Sequence, residues 1–404
     1  MIVIGVTGTK WKTTVTNLIA QWLQTSGKKV AMLSTASFML DGVVTNNTKK
    51  MTSLDPFSMW KFLSQAKKAG CTHVVVETSS HALFYHRVHG LRYDVAVLTN
   101  ISHDHLDLHR TMENYVATKL QLFKNLYKYG IRREVRKVGV VNLDSDFAEL
   151  FTARDIPVDN MYTYGIHAKA QVRAENIAYF TDHTEFDVKM PSEHFHISTK
   201  LLWEFNVSNI LAALCVFVSQ QLQISDIERV IENFEKIPWR LEKVPNPRNL
   251  EIYVDYAHTE DSLKAVLSTL KKMYPWKRII TVFGATGERD TTKRPKMGEI
   301  VHLMSDIIIL TDDDTYSENS LDIITGVIAG IPRRDGENFW IVPHREDAIR
   351  TALIMMGTDD ILLLAGKWSE TIQITQKWPI PWSDRHTTER LLSEIQTQEL
   401  IREK

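Results

Sequence analysis

This chain has little glycine. Its 404 residues include 17, about 4% where about 7% is usual. It has two cysteines, Cys71 and Cys215, too few for a disulfide framework and suited to a reducing compartment. No apolar run approaches the ~20 residues of a membrane span. No basic segment precedes the apolar N-terminus, so a signal peptide is not expected and the expected location is cytoplasmic. Neither sign of charge dominates: the formal net charge is −1, which argues against nucleic acid or a membrane surface as partner. What is present is 44% hydrophobic and 24% charged residues, with 10 tryptophans. That is the make-up of a globular protein, long enough for two or three domains of roughly 100–200 residues each.

Short apolar runs alternate with helical periodicity. Val30 to Leu33, His73 to Glu77, Val95 to Leu98 and Val138 to Val141 read as strands, and Pro56 to Lys68 and Met112 to Leu126 as helices. This alternation predicts βαβ units, hence an α/β fold with a mostly parallel sheet. Alternating segments at 185–188 and 195–198 predict antiparallel strands added to that sheet. Helices are expected over Val207–Gln221 and Ser225–Phe234. Pro238, Pro245 and Pro247 mark a boundary near residue 238. Beyond it strands are expected over 250–255, 278–283, 306–310, 339–342 and 361–365, a second α/β alternation.

The first strand, Ile2 to Val6, runs into Thr7-Gly8-Thr9-Lys10-Trp11-Lys12-Thr13-Thr14, and a helix leaves it. Strand, loop and helix in this order hold phosphates on backbone N–H groups and a helix N-terminus. Lys12 is placed to reach phosphate, and the Thr13 hydroxyl to bind Mg²⁺. The residue before such a lysine is normally glycine, because the backbone must approach phosphate closely; here it is Trp11. Glu77 ends a buried strand, where ligands of open α/β sheets sit, and reads either as a Mg²⁺ partner or as a surface carboxylate. His103, Asp104, His105 and Asp107 follow the next strand, as a metal or phosphate site or as turn residues. Lys119 reads as an ordinary solvated helix lysine. Further polar clusters stand at 204–209, 239–242, 255–259, 284–295, 311–318 and 365–370.

The order of these clusters resembles the Mur ligase family, most of all its MurE-type branch, from Val3 to about Arg385. The runs that carry the likeness are Glu77 to Arg87, Thr99 to Asp107, Asp255 to Thr259, and Arg289-Asp290 with Lys293-Arg294-Pro295. The resemblance implies a P-loop ATPase central domain over 1–238 and a Rossmann-like C-terminal domain over 239–404. It implies that the family's UDP-binding domain is missing, so that a separate UDP-binding subunit is a possible partner. The implied reaction is ATP-dependent: a substrate carboxylate becomes an acyl phosphate, and an amine then displaces phosphate to form an amide. Muramyl peptide and an amino acid are the implied substrates, and ATP with two Mg²⁺ sites the implied cofactors.

The family's roles carry over by position. Gly8, Thr9, Lys12, Thr13 and Thr14 hold phosphate, with Thr13, Glu77, His105 and Lys119 at the metals and Lys119 carbamylated. Asn206 and Asn209 lie near adenine, and Arg240 and Asp255 contact ATP when the domains close. Thr52, Ser53, Ser79 and Arg87 bind the sugar-peptide substrate. Asp314, Gly366 and Glu370 lie at the incoming amino acid. Where diaminopimelate-adding enzymes carry Asp-Asn-Pro-Arg, this chain has Asp313-Asp314-Thr315-Tyr316. The arginine that would fork onto the distal carboxylate is absent.

Trp11 has company. Trp203, Trp239 and Trp368 also stand at glycine positions of the family's motifs, while Lys12, Thr13, Glu77, His105, Lys119 and Arg240 are intact. Random decay would scatter over residue types. UGA codons meaning glycine, rendered as tryptophan, would account for the pattern, and a UGG codon at position 11 would rule that out. If the tryptophans are genuine, the alternative is a homologue impaired in ATP binding. A folylpolyglutamate- or polyglutamate-type ligase is a further alternative on the same core.

Overall fold

Two sheets form around the apolar runs, each in its own unit: Met1–Ile237 and Pro238–Lys404. The computed structural model describes residues 1–47, 52–128, 134–180, 183–222, 231, 241–367 and 372–402. The helix expected over 225–234, apart from residue 231, and Trp239, Arg240, Trp368 and Glu370 lie outside the described residues.

The strands of the first unit are β1 (Ile2–Thr7), β2 (Val30–Leu33), β3 (Ser37–Leu40), β4 (Val43–Asn46), β5 (His73–Glu77), β6 (Val95–Leu98), β7 (Val138–Asn142), β8 (Asn160–Gly165), β9 (Val172–Tyr179), β10 (Thr184–Lys189) and β11 (His194–Thr199). They form one sheet in the order β11-β10-β9-β8-β7-β6-β1-β5-β2-β3-β4. The centre, from β2 through β9, is parallel, and β3–β4 and β10–β11 extend the edges antiparallel. The hairpin β3–β4 was not expected from the sequence.

Side chains of a strand alternate between faces. Ile4 and Val6 therefore join one core with Val15, Leu18, Ile210 and Leu211, and Val3 joins the other with Leu63, Val116 and Leu122. Helices thus cover both faces: α1 (Lys12–Thr25) and α7 (Glu204–Ser219) on the first, α2 (Pro56–Lys68) and α5 (Met112–Lys124) on the second; three short helices are α3 (Ser80–Phe84), α4 (Leu106–His109) and α6 (Ala148–Phe151). Helix α7 starts three residues before the expected Val207 because Glu204 to Asn206 are already helical. Its interior is almost wholly apolar, and that suits a helix buried in a core.

The second unit has β12 (Glu242–Lys243), β13 (Glu251–Asp255), β14 (Arg278–Phe283), β15 (Ile307–Leu310), β16 (Phe339–Ile341) and β17 (Asp360–Ala365). Their order is β12-β13-β17-β14-β15-β16, and a small pair, β18 (Ile372–Ile374) and β19 (Pro379–Pro381), stands apart. All neighbours in the larger sheet are parallel except β12–β13. The helices are α8 (Glu260–Met273), α9 (Lys293–Met304), α10 (Ser320–Ile328), α11 (Arg345–Met355) and α12 (Asp384–Arg402). No helix among the described residues is long and apolar enough to cross a membrane.

Candidate functional site

The loop between β1 and α1 is shaped by the strand beside it. Thr9 N donates to the Asn100 carbonyl at 2.8 Å, and Lys10 N to Asn100 Oδ1 at 2.8 Å. Thr99 Oγ1 donates to the Lys10 carbonyl at 2.6 Å. Gly8 has φ 148, and a Cβ there would stand 1.9 Å from Thr99 Oγ1. Only glycine lets the loop pass so close to β6. Trp11 follows in the left-handed region, at φ 67, with its ring stacked on Phe205 at 4.0 Å and 3°.

Three charged side chains meet this loop. Lys12 Nζ donates to the carbonyls of Gly8 at 3.0 Å and Thr9 at 2.8 Å. Lys119 Nζ donates to the same Gly8 carbonyl at 2.6 Å and lies 4.4 Å from the centre of the Tyr115 ring. The third is Glu77, at the end of β5, which accepts from Thr13 Oγ1 at 3.0 and 3.1 Å. It accepts also from Thr35 N at 2.7 Å and Thr35 Oγ1 at 2.9 Å.

Lys119 departs from its reading as a solvated lysine: it is 1% exposed. Its position on α5 faces the sheet beside buried Tyr115, Val116 and Leu122. Burial, and then the charge of Lys12, pull its pKa well below the ordinary lysine value, against Asp104. Both influences shift the balance towards the uncharged amine. His105 is also pulled down, first by crowding around its ring and then by His81, Lys12 and Lys119, while Asp104 pushes the other way. With 43% of its side chain accessible, the crowding is partial. The His81 ring stands edge-on to it at 4.6 Å.

The remaining site residues expected in the first unit make mostly local contacts. Ser53 Oγ donates to the Glu77 carbonyl at 3.1 Å. Ser79 caps α3 by accepting from Ala82 N at 3.2 Å. Arg87 lies 5.5 Å from the Tyr85 ring centre, and Thr52 is half-buried. Asn206 donates to the Leu202 carbonyl at 2.7 Å and accepts from Asn209 at 3.1 Å. Thr14 is 1% exposed, and its hydroxyl has no hydrogen-bond partner among the described residues. Thr35 and Tyr115, whose hydroxyl lies 3.1 Å from Thr9 Oγ1, had no sequence signal: each acts through contacts with residues far along the chain.

In the second unit, Asp255 accepts from Leu241 N and Ala257 N, both at 2.8 Å, and so fixes the turn after β13. Gly366, at φ 102, ends β17 and donates to the Asp255 carbonyl at 3.0 Å. Asp314 is 4% exposed. It forms an ion pair with Lys367 and accepts from Ile374 N at 2.7 Å. Lys367 also lies 3.4 Å from Asp313, and with Arg345 it holds that buried carboxyl below the usual range against desolvation. The sequence reading did not single out Lys367.

Residues 6–217 match the Mur ligase middle domain, and residues 239–368 the Mur ligase, glutamate ligase domain. The chain belongs to the Mur ligase family. It is similar to the UDP-N-acetylmuramyl-tripeptide synthetase 2 of Oceanobacillus iheyensis, 36% identical over 95% of this chain and 76% of that protein. It is also similar to the UDP-N-acetylmuramoyl-L-alanyl-D-glutamate–2,6-diaminopimelate ligase 1 of Clostridium acetobutylicum, 33% identical over 97% of this chain and 78% of that one. Among solved structures, a UDP-N-acetylmuramoyl-L-alanyl-D-glutamate–2,6-diaminopimelate ligase superposes with TM-score 0.65 at 27% identity, covering 98% of this chain and 79% of that one. A Mycobacterium tuberculosis folylpolyglutamate synthase superposes with TM-score 0.72 at 14% identity, covering 90% and 88% of the two chains; at that identity it shows the shared Mur ligase fold alone.

Proposed function

We propose that this Mur ligase joins an amino acid to a muramyl-peptide carboxylate by way of an acyl phosphate, at the expense of ATP, in peptidoglycan precursor synthesis. The observation that carries the reading is the meeting of Lys12, Thr13, Glu77 and Lys119 at the loop after β1. Two features suit a nucleotide phosphate there. Gly8 lets the loop run tightly against Thr99, where any Cβ would clash, and the Thr14 hydroxyl is buried without a partner among the described residues.

The donor set suits Mg²⁺. Among the described residues no group of three His, Cys, Asp or Glu is spaced to hold a metal. Mg²⁺ is usually held by one or two carboxylates together with phosphates and waters, and Glu77 with Thr13 supplies a carboxylate and a hydroxyl. His105 and Lys119 are the candidates for a second ion, which makes two sites. When bound, Mg²⁺ offsets phosphate charge as the terminal group is transferred. Lys12 leaves the Gly8 and Thr9 carbonyls for phosphate and orients it. Lys119, whose surroundings favour loss of its proton, would take up CO₂ through its uncharged form, and the carbamate would place anionic oxygen donors where the amine stands.

Thr52, Ser53, Ser79 and Arg87 are assigned to the acceptor, Asn206 and Asn209 to the base, and Arg240 and Asp255 to the nucleotide. Asp314, Gly366 and Glu370 are assigned to the added amino acid. Tyr316 offers no fork for a distal carboxylate, so diaminopimelate is not the expected amine donor. A separate subunit carrying a UDP-binding domain is a proposed partner, and the cytoplasm the proposed location.

The test is phosphate release with MgATP, a UDP-muramyl dipeptide and a panel of amino acids, on protein carrying glycine at 11, 203, 239 and 368. Amide formation with the muramyl acceptor is expected. Turnover only with folate or glutamate chains would overturn the reading.

A further inference from the structure

We propose that residues 11 and 203 are glycine in the protein as its source cells make it, and that residues 22 and 382 are true tryptophans. UGA is read as tryptophan by one variant genetic code and as glycine by another, and a translation with the wrong one yields the chain above. Backbone, packing and hydrogen bonding sort the four positions without reference to any relative, with position 203 set apart most clearly by its backbone.

Position 203 has φ 91 and ψ 149. That is close to the region reached essentially by glycine alone, because a Cβ clashes there. The other non-glycine residues with positive φ lie between 42 and 68, in or near the left-handed well that L-residues occasionally visit. Position 11 has φ 67 and ψ 1, inside that range and close to Phe147 at φ 62 and ψ 15, so its backbone accepts glycine without strain but does not demand it.

Both positions are helix N-caps, Trp11 of α1 and Trp203 of α7, and neither side chain makes a capping hydrogen bond. Five other helices are capped by side-chain oxygens, from Asp55, Ser79, Thr111, Thr259 and Asn319, while Phe147, Thr292 and His344 make no such bond either. Glycine belongs to the residues favoured at N-caps and tryptophan does not. The indole of Trp11 lies in no core; it covers the ring of half-buried Phe205, and glycine would uncover that ring beside the loop.

Trp22 and Trp382 behave otherwise. Trp22 is 1% exposed in the interior of α1 and packs edge-on to Phe217 at 6.2 Å. Trp382 donates from Nε1 to Asp384 Oδ1 at 2.8 Å. Glycine at either would leave a cavity or a lost partner. Neither has positive φ.

Peptide mass spectrometry of the protein isolated from its source cells tests the assignment, and its outcome does not depend on the proposed ligase activity. Expected are glycine masses at 11 and 203 and tryptophan masses at 22 and 382, with UGA codons at the first pair and UGG at the second. Tryptophan at 11 or 203, or glycine at 22 or 382, overturns it. A second measurement uses the chain made in a standard host. Trp203→Gly is expected to raise the unfolding temperature; an equal or lower one would remove the backbone argument for that position.

Discussion

Lys119 and Gly8 are 111 residues apart, and the Lys119 amine donates to the Gly8 carbonyl at 2.6 Å. That bond brings a side chain of α5 under the loop after β1, where Lys12 holds the same carbonyl. Two amines on one oxygen, one of them 1% exposed, is an arrangement that favours loss of a proton from the buried one.

Lys119→Ala and Lys119→Arg are therefore both expected to lower kcat for phosphate release by about 100-fold or more, the scale of removing one preorganised charge partner. Arginine stays charged and cannot form a carbamate, so the two variants should fall together. Steady-state assays on folded variants check this; an active Lys119→Arg would speak against the carbamate.

Glu77 is 2% exposed and accepts from Thr13 and twice from Thr35. Glu77→Gln replaces an acceptor-only group with one that must donate into hydroxyls already committed. The Mg²⁺ concentration for half-maximal rate should rise about tenfold or more. Glu77→Ala should in addition cost about 1–3 kcal/mol of stability by stranding the Thr35 N–H. Mg²⁺ titration of rate and denaturant unfolding separate the two effects.

His73, 5% exposed at the start of β5, has its pKa lowered from 6.5 to about 4, chiefly by burial and next by Lys28. The folded form refuses a proton that the unfolded chain accepts. Stability is therefore complete above pH 6.5, falls as pH drops from 6.5 towards 4, and levels off below that. The loss attributable to this group is at most about 3 kcal/mol. Unfolding of the wild type and His73→Gln between these limits should show a flatter slope for the variant.

Arg345 and Asp384 are both fully buried. Arg345 Nε donates to Oδ1 at 2.8 Å and Nη2 to Oδ2 at 2.6 Å, while Nη2 also reaches the Ala365 carbonyl at 2.9 Å. This pair ties α11 and α12 to the end of β17. Asp384→Ala leaves a buried charge without its partner and should destabilise the second unit by about 3–5 kcal/mol. Replacing both residues by apolar ones of similar size should cost less. Urea unfolding of the single and double variants measures the difference.

Much of the scaffold could be read from local pattern. Val30–Leu33, His73–Glu77 and Val95–Leu98 form the expected strands, and the antiparallel edge at β10–β11 follows the alternation at 185–188 and 195–198. The start of α7 could not, because Glu204 and Asn206 carry no apolar period. The hairpin β3–β4 was missed because its strands have four residues each, too few to show a pattern.

The chain itself determined the order of elements, the phosphate-type loop after β1 and the acidic residue at the end of β5, since these depend on neighbours in sequence. Only the tertiary structure decided that Lys119 is buried, that Thr35 completes the shell of Glu77, and that Lys367 lies between Asp313 and Asp314. Those facts arise from side chains brought together across 111, 42 and 53 residues. Charge and protonation follow from the surroundings that such contacts create, and no local pattern encodes them.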